Sequence, residues 1–269
     1  MSEFNRFSRR QFLQLAGLGA VSFLPGCSLL PKFSSSYTIY DFTGQHWAQY
    51  RNSIVIDGLG GAIDSKTETL DVDTLTIYRR SGVTAVNDTI PYPGDDFEKA
   101  NQKVDHALKQ IKRHSDVLRL ITKVEDLYTA KQNNQLGVIM GFQSTEMFGD
   151  DLSNIDHFAK RGVRYMQMSY NGPSQFGDGG LVKSSNGLSK LGVEAVARME
   201  QNKVLVDLSH SGKQTVVDAI RVSKRPLTIS HTGCNAIYQH PRNNDDTELK
   251  AFADKGGVVG IYLMPFLEG

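Results

Sequence analysis

From Ile54 onward, short apolar and β-branched runs alternate with stretches in which apolar positions recur at helical spacing. The runs fall at 54–57, 83–90, 136–142, 165–170, 203–209, 227–230 and 258–264. They are apolar at most positions, the mark of parallel strands covered by helices on both faces. Helical patterns at 97–113, 124–133, 153–161, 190–201, 213–222 and 247–254 lie between them. Such repeated strand–helix units predict an α/β fold, either a TIM-like (β/α)8 barrel or an open doubly wound sheet. No G-x-G-x-x-G or Walker-type loop follows the first strand, so the nucleotide-binding open sheet loses support and the barrel leads. A closed barrel needs eight strands, and seven are counted. The preferred account is a barrel incomplete at the C-terminus, because no helix follows the last run and an open seam exposes unpaired edges. The other account is that an early segment, 38–42, completes the sheet.

The chain opens differently. Ser8-Arg9-Arg10-Gln11-Phe12-Leu13 precedes a short apolar run, 15–24, and then Pro25-Gly26-Cys27. This has the form of a twin-arginine export signal. The run is roughly half of the ~20 residues that span a bilayer, so it is expected to be removed or anchored rather than folded. Gly26 before Cys27 resembles a lipoprotein cleavage site, where the cysteine sulfur is acylated; the plain alternative is a cysteine beside an ordinary cleavage site. The expected organisation is a signal over 1–27, a tether over 28–52 and the barrel over 53–269. A periplasmic or envelope location, a lipid anchor at Cys27 and the twin-arginine export machinery as partner follow. That route carries proteins already folded, often with a cofactor seated.

Composition narrows the classes. Thirty Lys plus Arg against 29 Asp plus Glu leave a net charge of +1, which gives no electrostatic case for nucleic acid as a partner. The two cysteines, Cys27 and Cys234, are too few for a disulfide framework and form no C-x-x-C pair.

Chemistry on a barrel is done at the C-terminal ends of the strands. Two histidines stand there, in Val206-Asp207-Leu208-Ser209-His210 and in Thr228-Ile229-Ser230-His231-Thr232. A lone histidine at such a place is more often a hydrogen-bonded structural residue, but a matched pair on adjacent strands favours one shared metal. His46, His106, His114 and His157 read as surface residues. In His240-Pro241-Arg242-Asn243 the arginine either grips a substrate carboxylate or pairs with Asp245 or Asp246. Gln143 and Tyr170 complete a polar ring at the mouth. Asp207 either orients an imidazole from below or is a satisfied interior acid.

Together with Gly162-Val163-Arg164-Tyr165, these stretches resemble the membrane, or renal-type, dipeptidases, zinc peptidases built on a TIM-like barrel. The resemblance runs from about Ile54 to the end. It implies that His210 and His231 bind zinc and that Arg242 holds the dipeptide carboxylate. Elsewhere the chain departs from the family. The first strand of that family ends D-G-H-x-D, where this chain has Asp57-Gly58-Leu59-Gly60-Gly61. Leu59 and Gly61 cannot ligate. The bridging glutamate of the family aligns with Gln143, and Tyr170 stands where the family has a substrate-contacting histidine. Glu146 is a possible substitute carboxylate, though a loop residue of that kind is expected to be exposed. The losses remove one metal position and leave the other, so a single zinc ion is expected. The resulting expectation is a mononuclear metal-dependent hydrolase of dipeptides or a related small amide, with Tyr170 or Gln143 donating to the developing oxyanion. The alternatives are a non-catalytic peptide-binding protein and a peptide-maturation protein on the same barrel.

Overall fold

The computed structural model describes residues 50–63 and 70–262. The export signal, Cys27, His46, the segment 38–42 and the end of the last predicted strand lie outside the described residues. Eight parallel strands form one sheet: β1 (Ile56–Gly60), β2 (Ala85–Thr89), β3 (Leu118–Leu120), β4 (Leu136–Phe142), β5 (Tyr165–Gln167), β6 (Leu205–Asp207), β7 (Thr228–Thr232) and β8 (Val258–Ile261). Seven α-helices alternate with them among the described residues: α1 (Val72–Ser81), α2 (Phe97–Arg113), α3 (Val124–Gln132), α4 (Ser153–Lys160), α5 (Lys190–Gln201), α6 (Lys213–Val222) and α7 (Asp246–Asp254).

The path runs β1-β2-β4-β5-β6-β7-β8. β3, which the sequence-based count lacks, lies off this path, so the path itself has the seven strands counted from the sequence. It pairs with the start of β4, Leu118 opposite Leu136, while β5 takes over the end of β4, Gly141 opposite Tyr165. Three residues with Arg119 in the middle give no apolar run to recognise. α1 also went unpredicted, although its ends are marked: Asp71 caps the first turn by accepting from the Asp73 N–H, and Gly82 closes the helix at φ 77°.

The sheet curls into a nearly closed barrel. β1 and β8, the two ends of the path, both close on β7. A methyl group on Gly58 would stand 2.8 Å from the Ser230 carbonyl oxygen, and one on Gly260 only 2.1 Å from it. Side chains are excluded there because two strands converge on one carbonyl. Helices cover the outside. Phe97 of α2 and Phe142 of β4 both meet Phe158 of α4, at ring-centroid distances of 5.4 and 4.8 Å. β4 is buried along almost its whole length, as its unbroken apolar sequence requires.

Candidate active site

β6 and β7 deliver the two predicted histidines side by side. His210 follows β6 by three residues and takes φ 64°, a left-handed conformation costly for a side-chain-bearing residue. The loop after β5 holds it there. Gly180 N–H donates to the His210 carbonyl at 2.5 Å, and Asn171 Oδ1 lies 2.8 Å from His210 Nδ1. The rings of His210 and His231 have centroids 4.8 Å apart, with planes 70° apart. Tyr170, just beyond β5, lies flat on the other face of the site, 4.1 Å from His210.

Arg242 stands beside them. Its loop is pinned to β7 by the Thr232 hydroxyl, which donates to the Arg242 carbonyl at 3.0 Å, and its guanidinium carbon sits 5.8 Å from the centre of the Tyr262 ring. Tyr262 follows β8, faces His231 at 6.4 Å, and donates through its hydroxyl to Asn243 Oδ1 at 2.7 Å. Among the described residues, Nε and Nη2 of Arg242 are buried with no hydrogen-bond partner. Asp245, one of the two carboxylates considered for it, is engaged instead by Lys213 and Asn235. A buried guanidinium with two unanswered donors is expensive on its own and becomes favourable when an anion arrives. Burial holds its pKa below the usual arginine range.

Beneath the pair lies Asp207, 1% exposed. Its Oδ1 accepts from the Ser209 and Ser230 backbone N–H groups and from the Ser209 hydroxyl, and its Oδ2 from the Ser230 hydroxyl, all within 3.0 Å. Burial pushes this carboxyl up, and the four donors pull it back. Burial, then Arg242, then His231 push His210 down to about 2, so its imidazole is neutral.

On the β1 side the carboxylates hold backbone. Asp57 Oδ1 accepts from Leu59 N–H at 3.1 Å, while Asp88 Oδ2 accepts from Ala62 and Ile63 N–H at 2.9 and 2.8 Å. Among the described residues no group of three or more His, Cys, Asp or Glu side chains converges as a metal site. The two imidazoles, each tied at Nδ1, suit zinc as donors but are two of the three protein ligands a catalytic zinc takes.

The other candidates are dispersed. Gln143 follows β4 and is engaged through its backbone carbonyl by Gln167 Nε2 at 2.7 Å. Glu146 is exposed in a short 3-10 helix, as expected of it. His157 is exposed on α4, but His106 and His114 are half-buried rather than on the surface. Tyr262 and Asn171 were missed; they reach the site through the curl of the barrel and the fold of one loop, for which the sequence carries no periodic signal.

The model of the membrane dipeptidase family (peptidase family M19) matches residues 63–269. Among solved structures, an amidohydrolase from Pseudomonas aeruginosa is similar, with 33% identity, a TM-score of 0.73, and coverage of 79% of this chain and 63% of that one. The dipeptidase tcpJ of Claviceps purpurea is 27% identical over 168 residues, 62% of this chain and 40% of that protein. An uncharacterized dipeptidase of Schizosaccharomyces pombe is 27% identical over 167 residues, 60% of this chain and 40% of the relative. The match spans between about a third and two thirds of the length of the curated relatives. With a matching barrel and a family model covering most of its length, the chain belongs to the membrane dipeptidases, peptidase family M19.

Proposed function

We propose that the protein is an exported, envelope-anchored hydrolase that cleaves dipeptides or related small amides with the help of one zinc ion. The observation that carries this reading is the grouping of His210 and His231 beside Arg242, whose buried Nε and Nη2 have no hydrogen-bond partner among the described residues. Family membership supports peptidase chemistry and a metal cofactor. The twin-arginine stretch and Gly26-Cys27 support export and anchoring.

Arg242 takes the carboxylate end of the substrate in a two-pronged contact and so fixes the scissile carbonyl relative to the histidines. Tyr170, held flat on His210, presents a phenol to the oxygen on which charge develops. Gln143 at the end of β4 is the second candidate donor. His210 and His231 would hold the zinc, which when bound supplies Lewis acidity toward the carbonyl and toward water. Leu59, Gly61 and Gln143 offer no acidic ligand for a second ion.

The same replacements favour a second reading, a non-catalytic peptide receptor or peptide-maturation protein that keeps Arg242 and the mouth. A dipeptide panel assayed with and without zinc decides between them. Hydrolysis that needs zinc and disappears in His210→Ala supports the hydrolase; dipeptide binding undiminished in that variant, with no turnover in the wild type, favours the receptor.

A further inference from the structure

We propose that Asp207 is a positioning residue which, through the Ser230 hydroxyl, keeps the His231 proton on Nδ1 and its lone pair on Nε2. The inference rests on the reading of His231 as a ligand of the site, and it concerns a chain of contacts beneath the mouth that reaches no substrate.

The argument is a count of protons. Ser230 Oγ has three hydrogen-bonding neighbours, Asp207 Oδ2 at 2.9 Å, His231 Nδ1 at 2.7 Å and Ser209 Oγ at 2.8 Å, the last with its own proton given to Asp207, and the Tyr165 hydroxyl interacts with both Ser230 and Asp207. Its hydroxyl has one proton to give. Asp207 is fully enclosed and already receives two backbone N–H groups and the Ser209 hydroxyl on Oδ1. The remaining oxygen, Oδ2, accepts from the Ser230 hydroxyl at 2.9 Å. With that proton committed, the short contact to His231 is a hydrogen bond only if Nδ1–H donates to Ser230 Oγ. Ser209 closes the frame, since its oxygen accepts from the His231 backbone N–H at 3.0 Å. Ring and backbone of His231 are therefore held from the same buried acid, one step removed on each side.

His210 reaches the same tautomer by a separate route. Asn171 Oδ1 can only accept, so His210 Nδ1 carries the proton there as well. Two different partners thus place the proton on Nδ1 in both imidazoles. Zinc binding by histidine depends on this kind of support, and its loss typically costs about 10–100-fold in metal affinity.

The test reads the tautomer directly. Long-range proton–nitrogen correlation spectra of the nitrogen-15-labelled, metal-free 269-residue protein, with His231 assigned by its loss in His231→Ala, are expected to show Nδ1–H, the minor form of free histidine in water. Nε2–H in the wild type overturns the proposal. In Asp207→Asn the side-chain amide donates to Ser230, which must pass its own proton to Nδ1; the expected result is a switch to Nε2–H with zinc affinity about 10–100-fold weaker. Should that variant fail to fold, Ser230→Ala removes the same link, and a pure Nδ1–H form persisting there equally overturns it. A wild type with Nδ1–H that takes up no zinc leaves the positioning role standing and sinks the metal reading instead.

Discussion

Tyr170 lies flat against His210, with ring centroids 4.1 Å and planes 23° apart. On the proposed function the stack gives Tyr170 two separable jobs, the ring bracing the imidazole and the hydroxyl serving the substrate. Tyr170→Phe keeps the ring. It is expected to leave zinc content and melting temperature unchanged and to lower kcat by about 10²–10³, the usual loss for one oxyanion donor. Tyr170→Ala is expected to lower zinc content too. Unchanged kcat in Tyr170→Phe would assign the residue to bracing alone.

Arg242 is the clearest case of stability given up for binding. Its Nε and Nη2 are buried and unanswered among the described residues, so Arg242→Met is expected to fold at least as stably as the wild type without ligand. The variant should lose the rise in melting temperature that a dipeptide gives the wild type. A C-terminally amidated dipeptide should discriminate little between the two proteins, because it lacks the carboxylate that Arg242 is assigned. Thermal shift with both ligands checks this, and an undiminished shift with the free acid in the variant would contradict it.

Asp88 links folding to pH. Burial chiefly, with a smaller contribution from Asp57, raises its carboxyl from 3.8 to about 6. A group raised on folding favours the folded state below the unfolded value and loses that contribution as pH climbs through the folded one. Stability from Asp88 is therefore expected to fall between about pH 4 and 6, by roughly 1–3 kcal/mol in all. In Asp88→Asn the amide oxygen still accepts from Ala62 and Ile63 while the buried charge is gone. Urea denaturation at pH 4 and pH 7 should show a gain for the variant at pH 7 and little at pH 4. An equal effect at both values would remove the electrostatic explanation.

Gly260 tests the curl of the barrel. A methyl group there meets the Ser230 carbonyl at 2.1 Å, so Gly260→Ala must push β8 from β7 and is expected to cost about 1–3 kcal/mol. Because the displaced carbonyl belongs to Ser230, next to His231, zinc uptake should fall as well. At Gly172 an added methyl meets nothing within 4 Å, and Gly172→Ala should leave stability unchanged. Equal unfolding midpoints for the two variants would contradict the packing.

The proposed export and anchoring are tested separately. Conversion of Arg9 and Arg10 together to lysine should leave the protein in the cytoplasm. Cys27→Ser should permit export but abolish incorporation of labelled fatty acid, and fatty-acid labelling that survives this change would place the anchor elsewhere.

Much of this architecture is legible along the chain, for physical reasons that also explain the omissions. β4 announces itself because a strand covered on both faces has almost no polar position to interrupt it, and His210 and His231 stand out as matching polar residues just past two apolar strands. β3 is only three residues long, with Arg119 at its centre, so its identity lies in its pairing with β4. Tyr262 and Asn171 enter the site because β8 closes on β7 and the loop after β5 folds over His210. Neither contact leaves a repeat in the sequence. Asp207 shows the limit most sharply: its place three residues before His210 suggests service to that histidine, whereas its hydrogen bonds lead through Ser230 to His231.

Metal content per chain, determined by elemental analysis on protein folded before export, tests the central claim most directly. The account predicts about one zinc per chain, lost in His231→Ala, in keeping with a single ion held by the two strand-end imidazoles. About two would mean that the ligand set extends beyond the positions assigned. No zinc retained, even after it is offered, would contradict the account and leave a peptide receptor built on a dipeptidase barrel.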